Sequence, residues 1–323
     1  MLESKIISSN IRAINKRIAL LQRNKNKSLD FILKGAGLMD GKRLRGLLVL
    51  LTARACGAKI TGSMVNIAAA IEMLHHATLI HDDIVDDSAV RRGAPSLYSR
   101  LGPLMAVLAG DYIFAGAVDI AVNDLDRETL KVFANIIKDV CEGEIEEVYN
   151  KYNADITNRG CLDIMGRKTA SLIRGSVACG ALAAKCGGKK LMHLEAFGYN
   201  AGMAFQIKDD LLDITSKTSK IGKPAGSDIK EGKATLPLVL ALNNAPKAEA
   251  GKIRKLFRQK KAASASKKIL DFILEYDGID LAELMAVSYI EDAKHALDQA
   301  GLAGRKSGAV LYELADYMLL RNY

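Results

Sequence analysis

Two acidic clusters set in apolar, helix-patterned stretches limit what this chain can fold into more than any other feature. The first lies in LIHDDIVDDSAVRRG, residues 79–93, where four carboxylates fall within six residues and Arg91 and Arg92 follow closely. On a helix, Asp82 and Asp86 stand i,i+4 and project from one face about one turn apart. Like charges at that spacing repel, so the pattern asks for a cation between them. A hard divalent ion such as Mg²⁺ suits it, because Mg²⁺ takes one or two carboxylates and fills its other positions with water and phosphate oxygens. A solvated acidic helix end is the competing reading of a single motif. The second cluster, FQIKDDLLD at 205–213, weighs against that reading by repeating the spacing with Asp209 and Asp213, 127 residues after the first pair. Carboxylates presented at one level by two helices imply a bundle in which those helices face each other across a cavity.

The rest of the chain reads as helix after helix. Only 5 prolines occur in 323 residues, and no convincing period-two alternation appears. Lys5 to Arg23 has apolar residues at helical spacing, Ile6, Ile7, Ile11, Ile14, Ile18 and Leu21, which predict an amphipathic helix. Lys42 to Cys56 is a buried helix with a basic first turn, and Ser63 caps a helix that runs to about Asp87. Pro95 and Gly102-Pro103 break the next connection. Ala106 to Leu125, Thr129 to Tyr149, Thr157 to Cys186 and Lys190 to about Thr215 are long helices, followed by a Gly- and Lys-rich loop over 216–233 and further helices to Tyr323. The prediction is an all-α, single-domain helical bundle over 1–323, without an internal linker. With 5% aromatic residues and no Trp, its core must be mostly Ala, Leu, Ile and Val.

Five cysteines without a CxxC pair suggest buried thiols in a reducing compartment. Met1 to Arg23 lacks the pattern of a signal peptide, and no uncharged apolar run approaches the length of a membrane span, so a soluble, cytoplasmic protein is expected. The net charge is +9, and the densest basic run, Lys252 to Lys268, holds one aromatic residue and no nucleic-acid motif. A solvated helix and loop is its plain reading; transient contact with lipid headgroups is the better of the functional ones, and nucleic acid is not an expected partner. The cations at 42–45 are different, because a basic helix N-terminus opposes the macrodipole unless an anion docks there.

Seven strings in order give the chain a resemblance along nearly its whole length to the trans-polyprenyl diphosphate synthases. They are DGKRLRG (40–46), LIHDDIVDDSAVRRG (79–93), GDYIFAGA (110–117), GRKTASL (166–172), FQIKDDLLD (205–213), GKPAGSDIKEGKATLPL (222–238) and the terminal LADYMLLRNY. The resemblance implies an isoprenoid-synthase-type bundle with a central cavity, usually a homodimer. It implies two or three Mg²⁺ ions held by Asp82, Asp86, Asp209 and Asp213, and an allylic diphosphate that ionises so that isopentenyl diphosphate can attack the allylic cation. Lys168 and Thr169 would steady that cation. Arg91, Lys168, Thr169, Gln206, Lys223 and Lys233 would contact the allylic diphosphate, and Lys42, Arg45, His75 and Arg92 the isopentenyl diphosphate. Members usually read GGKRxRP where this chain has Asp40 and Gly46 in place of the first Gly and the Pro. Asp87 is an extra carboxylate, expected to meet solvent or an arginine, and His81 is read as a residue that packs the helix or supports the ligands, and not as a ligand itself.

Product length is expected to depend on the helix that bears Asp82. Ala77 and Thr78 lie one turn, about 5.4 Å, before it, and both are small where short-chain members of the family place an aromatic ring. Met73 and Leu74 form the next turn. An open path predicts a heptaprenyl or octaprenyl product over a farnesyl or geranylgeranyl one. A terpene cyclase is disfavoured by FQIKDDLLD and a non-catalytic subunit by two intact acidic motifs, while dependence on an unlike subunit stays open.

Overall fold

The computed structural model describes residues 5–22, 26–215, 226–304 and 306–321. The chain is all-α, and it divides into two compact units that interleave in sequence. Unit 1 comprises Met1–Asn135, Ile173–Glu195 and Leu297–Glu313; unit 2 comprises Ile136–Leu172, Ala196–Ala296 and Leu314–Tyr323. In chain order the helices are α1 (Lys5–Gln22), α2 (Lys27–Gly35), α3 (Leu44–Ala55), α4 (Gly62–Val85), α5 (Leu97–Asp124), α6 (Arg127–Tyr149) and α7 (Asn158–Met165). A π-helical turn, Gly166–Ala170, leads into α8 (Ser171–Ala183) and then α9 (Gly188–Thr215). The remainder is α10 (Ser227–Lys230), α11 (Leu236–Asn244), α12 (Lys247–Arg258), α13 (Ser266–Glu275), α14 (Gly278–Gln299) and α15 (Lys306–Leu320).

In unit 1, α4 packs against α1, α3 and α5. The stripe expected on α1 buries Ile7, Ile14 and Ile18, while α3 is buried on nearly every side. Each such Ile or Leu removed from water contributes ~1.5–3 kcal/mol, enough for packing to override the unfavourable basic start of α3. α4 is capped by Thr61, which accepts from Met64 N, and not by Ser63, whose hydroxyl instead donates to Asp124 O and ties the start of α4 to the end of α5. α5 begins earlier than expected because Ser96 caps it; the chain leaves helical geometry only at Gly102, and Pro103 restarts the helix. Its buried face is built of small residues, Ala106, Ala109, Ala117 and Ala121, with Ile113 and Ile120. By length and composition α5 is the one helix among the described residues apolar enough to cross a membrane, and 39% of its most apolar window is buried within the fold.

Two features of the fold are invisible to periodicity. Val90–Arg91 and Ala94–Pro95 pair as an antiparallel hairpin, closed by Arg92 and Gly93 with φ of 53° and 77°. The single helix expected over 157–186 is α7, the π turn and α8. In unit 2 one cluster of buried side chains gathers Phe257, Ile269, Phe272 and Ile273 with Leu238 and Leu242. A second joins Met165, Ala170, Met203, Ile207 and Leu211 to Leu236 and Val239. Cysteine burial is partial: Cys161 and Cys179 are buried, Cys56 and Cys186 half-buried, and Cys141 is exposed, so uniform burial does not hold. Burial pushes the Cys179 thiol up to about 12, which leaves it inert.

Candidate active site

In unit 1 the acidic end of α4 divides its carboxylates by burial. Asp83 is buried and receives Arg91 through Nε at 2.8 Å and Nη2 at 2.6 Å. Asp82 and Asp86, one step around the helix, are not buried, and Asp86 forms the helix C-cap. Asp87, in the left-handed region at φ 48°, accepts a 2.5 Å hydrogen bond from the Tyr98 hydroxyl, so it meets neither an arginine nor only solvent. The hairpin turn sends Arg92 the other way, onto the first basic motif: a Cβ on Gly41 would lie 2.9 Å from its guanidinium. Arg92 thereby joins Arg45 and Arg91 around His75. Burial, and then these arginines, hold the His75 imidazole well below its usual range. Three cations and a neutral imidazole so arranged suit an anion.

Arg43 does not belong to that set. It is buried, donates to Asn15 Oδ1 at 2.6 Å and to the carbonyls of Leu38 and Asp40, and so clamps α1 to the segment before α3. Of the three cations expected to receive an anion, Lys42 and Arg45 remain. The departure at Gly46 also has a local cause. Its N–H donates to the buried Glu72 carboxylate at 2.7 Å, and a Cβ there would lie 2.9 Å from Ala68 O. Proline could supply neither the donor nor the space. His81 is a packing residue, as read from sequence: its ring covers Gly110 on α5, where a Cβ would come within 2.2 Å.

The chain-length positions separate. Ala77, Leu74 and Met73 are buried, and the Thr78 hydroxyl donates to His75 O. Of the four, Met73 alone lines a cavity of about 330 Å³, together with Leu33, Leu38, Tyr112, Ile113 and Gly116.

In unit 2 the π turn projects Lys168 and Thr169 into a pocket of about 140 Å³ that Gln206, Asp210, Asp228 and Lys233 also line. A Cβ at Gly143 would stand 2.5 Å from Lys168 N, so glycine lets α6 touch the π turn backbone to backbone. That contact aims Glu144 and Glu147, i,i+3 on α6, at the Lys168 ammonium, at 2.6 and 2.5 Å. Glu147 also lies 3.6 Å from Lys233, which pairs with Glu231 at 2.9 Å. The Thr169 hydroxyl donates to Gln206, whose amide donates on to Asp210. Asp209 meets Arg321 at 2.7 Å, a guanidinium where a cation is expected. Asp213 has both oxygens occupied at the start of α10, accepting from Ser227 and Asp228. Lys223 lies outside the described residues.

Burial, and then the neighbouring Asp228 charge, push the Asp210 carboxyl well above the carboxylate range; burial, and then Asp213, raise Asp228 to about 7. Among the described residues no three His, Cys, Asp or Glu side chains converge as a ready cage. The carboxylates of the two acidic clusters are hard oxygen donors, of the kind that Mg²⁺ takes in small number while it completes its shell with phosphate oxygens. Sequence reasoning missed Glu144, Glu147, Asp228 and Arg321. The run EGEIEE on α6 was the available signal for the first two.

The family model described as polyprenyl synthetase matches residues 27–273. The chain is 37% identical over 287 residues to heptaprenyl diphosphate synthase component 2 of Geobacillus stearothermophilus, covering 88% of this chain and 87% of that one. It is 33% identical over 291 residues to a short chain isoprenyl diphosphate synthase of Methanothermobacter thermautotrophicus, with 88% and 87% covered. A polyprenyl synthase from Caulobacter crescentus CB15, solved with calcium and isoprenyl diphosphate, superposes with a TM-score of 0.91 at 31% identity, over 98% of this chain and 96% of that one. The fold is therefore the all-α fold of the polyprenyl synthases. The chain belongs to the polyprenyl synthetase family and is a prenyltransferase.

Proposed function

We propose that this prenyltransferase joins isopentenyl diphosphate to an allylic diphosphate and repeats the step to a heptaprenyl or octaprenyl product. The observation that carries this reading is the pairing, in each unit, of carboxylates with cations whose job in the free protein is to neutralise them. Lys168 and Lys233 rest on Glu147, and Arg91 rests on Asp83. Asp82, Asp86 and Asp209 are the proposed Mg²⁺ ligands, with Asp213 as a further one through its remaining lone pairs. When bound, the metal neutralises the diphosphate and so favours its departure from the allylic carbon. Lys168, Lys233, Arg91, Lys223 and Gln206 orient that diphosphate, Arg through its planar fork. Thr169, fixed by Gln206, presents its oxygen lone pairs to the developing allylic cation. Lys42, Arg45, Arg92 and neutral His75 hold isopentenyl diphosphate with its alkene free to attack. The proton lost afterwards goes to the released diphosphate.

The long product is supported by the small Ala77 and Thr78 and by the cavity beyond them at Met73. A homodimer is supported by the outer face of α5, where Leu104, Leu108 and Tyr112 repeat at i,i+4,i+8 and are exposed. A second reading, catalysis only with an unlike subunit, is favoured by the name component 2 carried by the heptaprenyl relative. One assay separates these. The purified chain is incubated with Mg²⁺, farnesyl diphosphate and labelled isopentenyl diphosphate, and the dephosphorylated products are sized. Turnover to chains beyond geranylgeranyl is expected; products stopping there would overturn the long-chain reading, and no turnover by the chain alone would overturn self-sufficiency.

A further inference from the structure

The basicity of this protein is concentrated in one place. The chain has 46 Lys and Arg against 37 Asp and Glu; the run Lys252 to Lys268 holds eight of those cations and no acid, and outside it the numbers are 38 and 37. Eight of the nine excess charges thus come from one short segment of unit 2, formed by the second half of α12, the turn after it and the start of α13. Its inner face is fixed in the core by Ile253, Phe257, Ala262 and Ile269. Its outer face exposes Lys252, Lys255, Arg258, Lys260, Lys261, Lys267 and Lys268.

Part of that charge is answered within the protein. Lys252 pairs with Glu249, Arg254 and Arg258 meet Asp155, and Lys260 lies 5.7 Å from the centre of the Tyr152 ring. Lys255, Lys261, Lys267 and Lys268 have no acidic side chain within 4 Å among the described residues. Lys267 and Lys268 also stand in the first turn of α13, which has no side-chain cap and where cations oppose the helix dipole. A face that needed only to be wet would mix its charges; this one concentrates a single sign at a local cost.

We propose that this surface docks the protein on an anionic lipid leaflet. Nucleic acid fits less well, because the run's own aromatic residue, Phe257, is fully buried and offers no ring for stacking. Leu274, exposed on α13 two turns after Lys267, supplies an apolar side chain beside the cations, the combination that seats a helix at a lipid interface. The choice of lipid rests on the proposed function, since a long isoprenoid diphosphate must leave water for a bilayer. Each unpaired lysine near an anionic surface strengthens partitioning roughly fivefold, so four together act on the order of several hundredfold.

The test uses the whole protein and no substrate. Sedimentation is measured with vesicles of phosphatidylcholine alone and with about one-third phosphatidylglycerol, at about 0.1 M and about 0.5 M salt. Wild-type protein is expected to sediment with the anionic vesicles only and to be released by the higher salt. The variant carrying Lys255→Gln, Lys261→Gln, Lys267→Gln and Lys268→Gln is expected to lose binding on the order of a hundredfold or more, while melting as the wild type does. Equal binding to neutral vesicles, no binding to anionic ones, unchanged binding by the variant, or tighter binding to a DNA duplex at equal salt would each overturn the proposal. Because no substrate is present, the outcome is independent of product length: failure here leaves the catalytic reading standing, and a failed activity assay leaves vesicle binding interpretable.

Discussion

At the scale of single residues, the same side-chain type serves opposite ends depending on where its helix turns it. Asp83 and Asp82 are neighbours, yet one is buried under Arg91 as part of the frame and the other stays accessible to a ligand. Asp82→Ala is therefore expected to lower turnover by several orders of magnitude while leaving the melting temperature near wild type, because a metal-binding carboxylate acts mainly on the transition state. Asp209→Ala is expected to lower turnover as far and also to cost stability, since the nearly buried Arg321 loses its partner. A near-normal rate in either variant would show the metals to be elsewhere. Gly46→Pro, which restores the residue usual in the family, has the opposite signature. It removes the donor to Glu72 and crowds Ala68 O, and an unsatisfied buried carboxylate costs about 1–3 kcal/mol. Denaturant unfolding should register that loss, and a variant as stable as wild type would mean that Glu72 finds another donor at no cost.

At the scale of elements, the contact of α6 with the π turn sets the lysine. In Gly143→Ala the new methyl meets Lys168 N, so one backbone must move and the ammonium moves with it. A shift near 1 Å in a reacting group costs on the order of a hundredfold in rate, so kcat is expected to fall far more than stability does; equal rates in the two proteins would remove Lys168 from the mechanism. Along α4, Met73 lies nine residues before Asp82, about 13 Å up the helix, and a Cβ on Gly116 would reach its terminal methyl at 2.9 Å. Ala77→Phe and Gly116→Leu should both shorten the product, and an unchanged product ladder in both would place the tail on another path. Much of this was legible beforehand. The helices announce themselves through apolar residues three and four apart, as α1 does with Ile7, Ile11, Ile14 and Ile18, and the acidic clusters through their repetition. The hairpin at 90–95 is too short to show a period, and the π turn leaves the apolar pattern of 158–183 unbroken. Pairs such as Lys168 with Glu147, or Arg43 with Asn15, join residues more than twenty apart, and nothing local in the sequence links them.

At the scale of the whole molecule, the two units carry buried titrating groups of opposite tendency. In unit 1, burial and then the opposing effects of the Ala36 carbonyl, Arg92, Arg43 and Asp40 leave His76 with a pKa of about 4 against 6.5 when unfolded. In unit 2, Asp210 and Asp228 are raised. The signs follow from which state binds more protons. Between pH 6.5 and 4 the unfolded chain protonates position 76 and the folded chain does not, so stability falls as pH drops through that window, by up to about 3 kcal/mol from this residue. The raised carboxyls work the other way, since the folded state takes up their protons first and gains stability as pH falls from near 7. The two effects offset each other in the total, so the overall pH profile of stability reports neither. The difference between His76→Gln and wild type isolates one of them, because glutamine can still donate to Ala36 O and leaves Asp210 and Asp228 untouched. Unfolding free energies measured at steps from pH 7 to 4 are expected to shift in favour of the variant by about 3 kcal/mol across the range. A difference that stays flat with pH would mean that His76 protonates in the folded protein as readily as in the unfolded chain, and that the arginines surrounding it are already neutralised by a bound anion or by solvent.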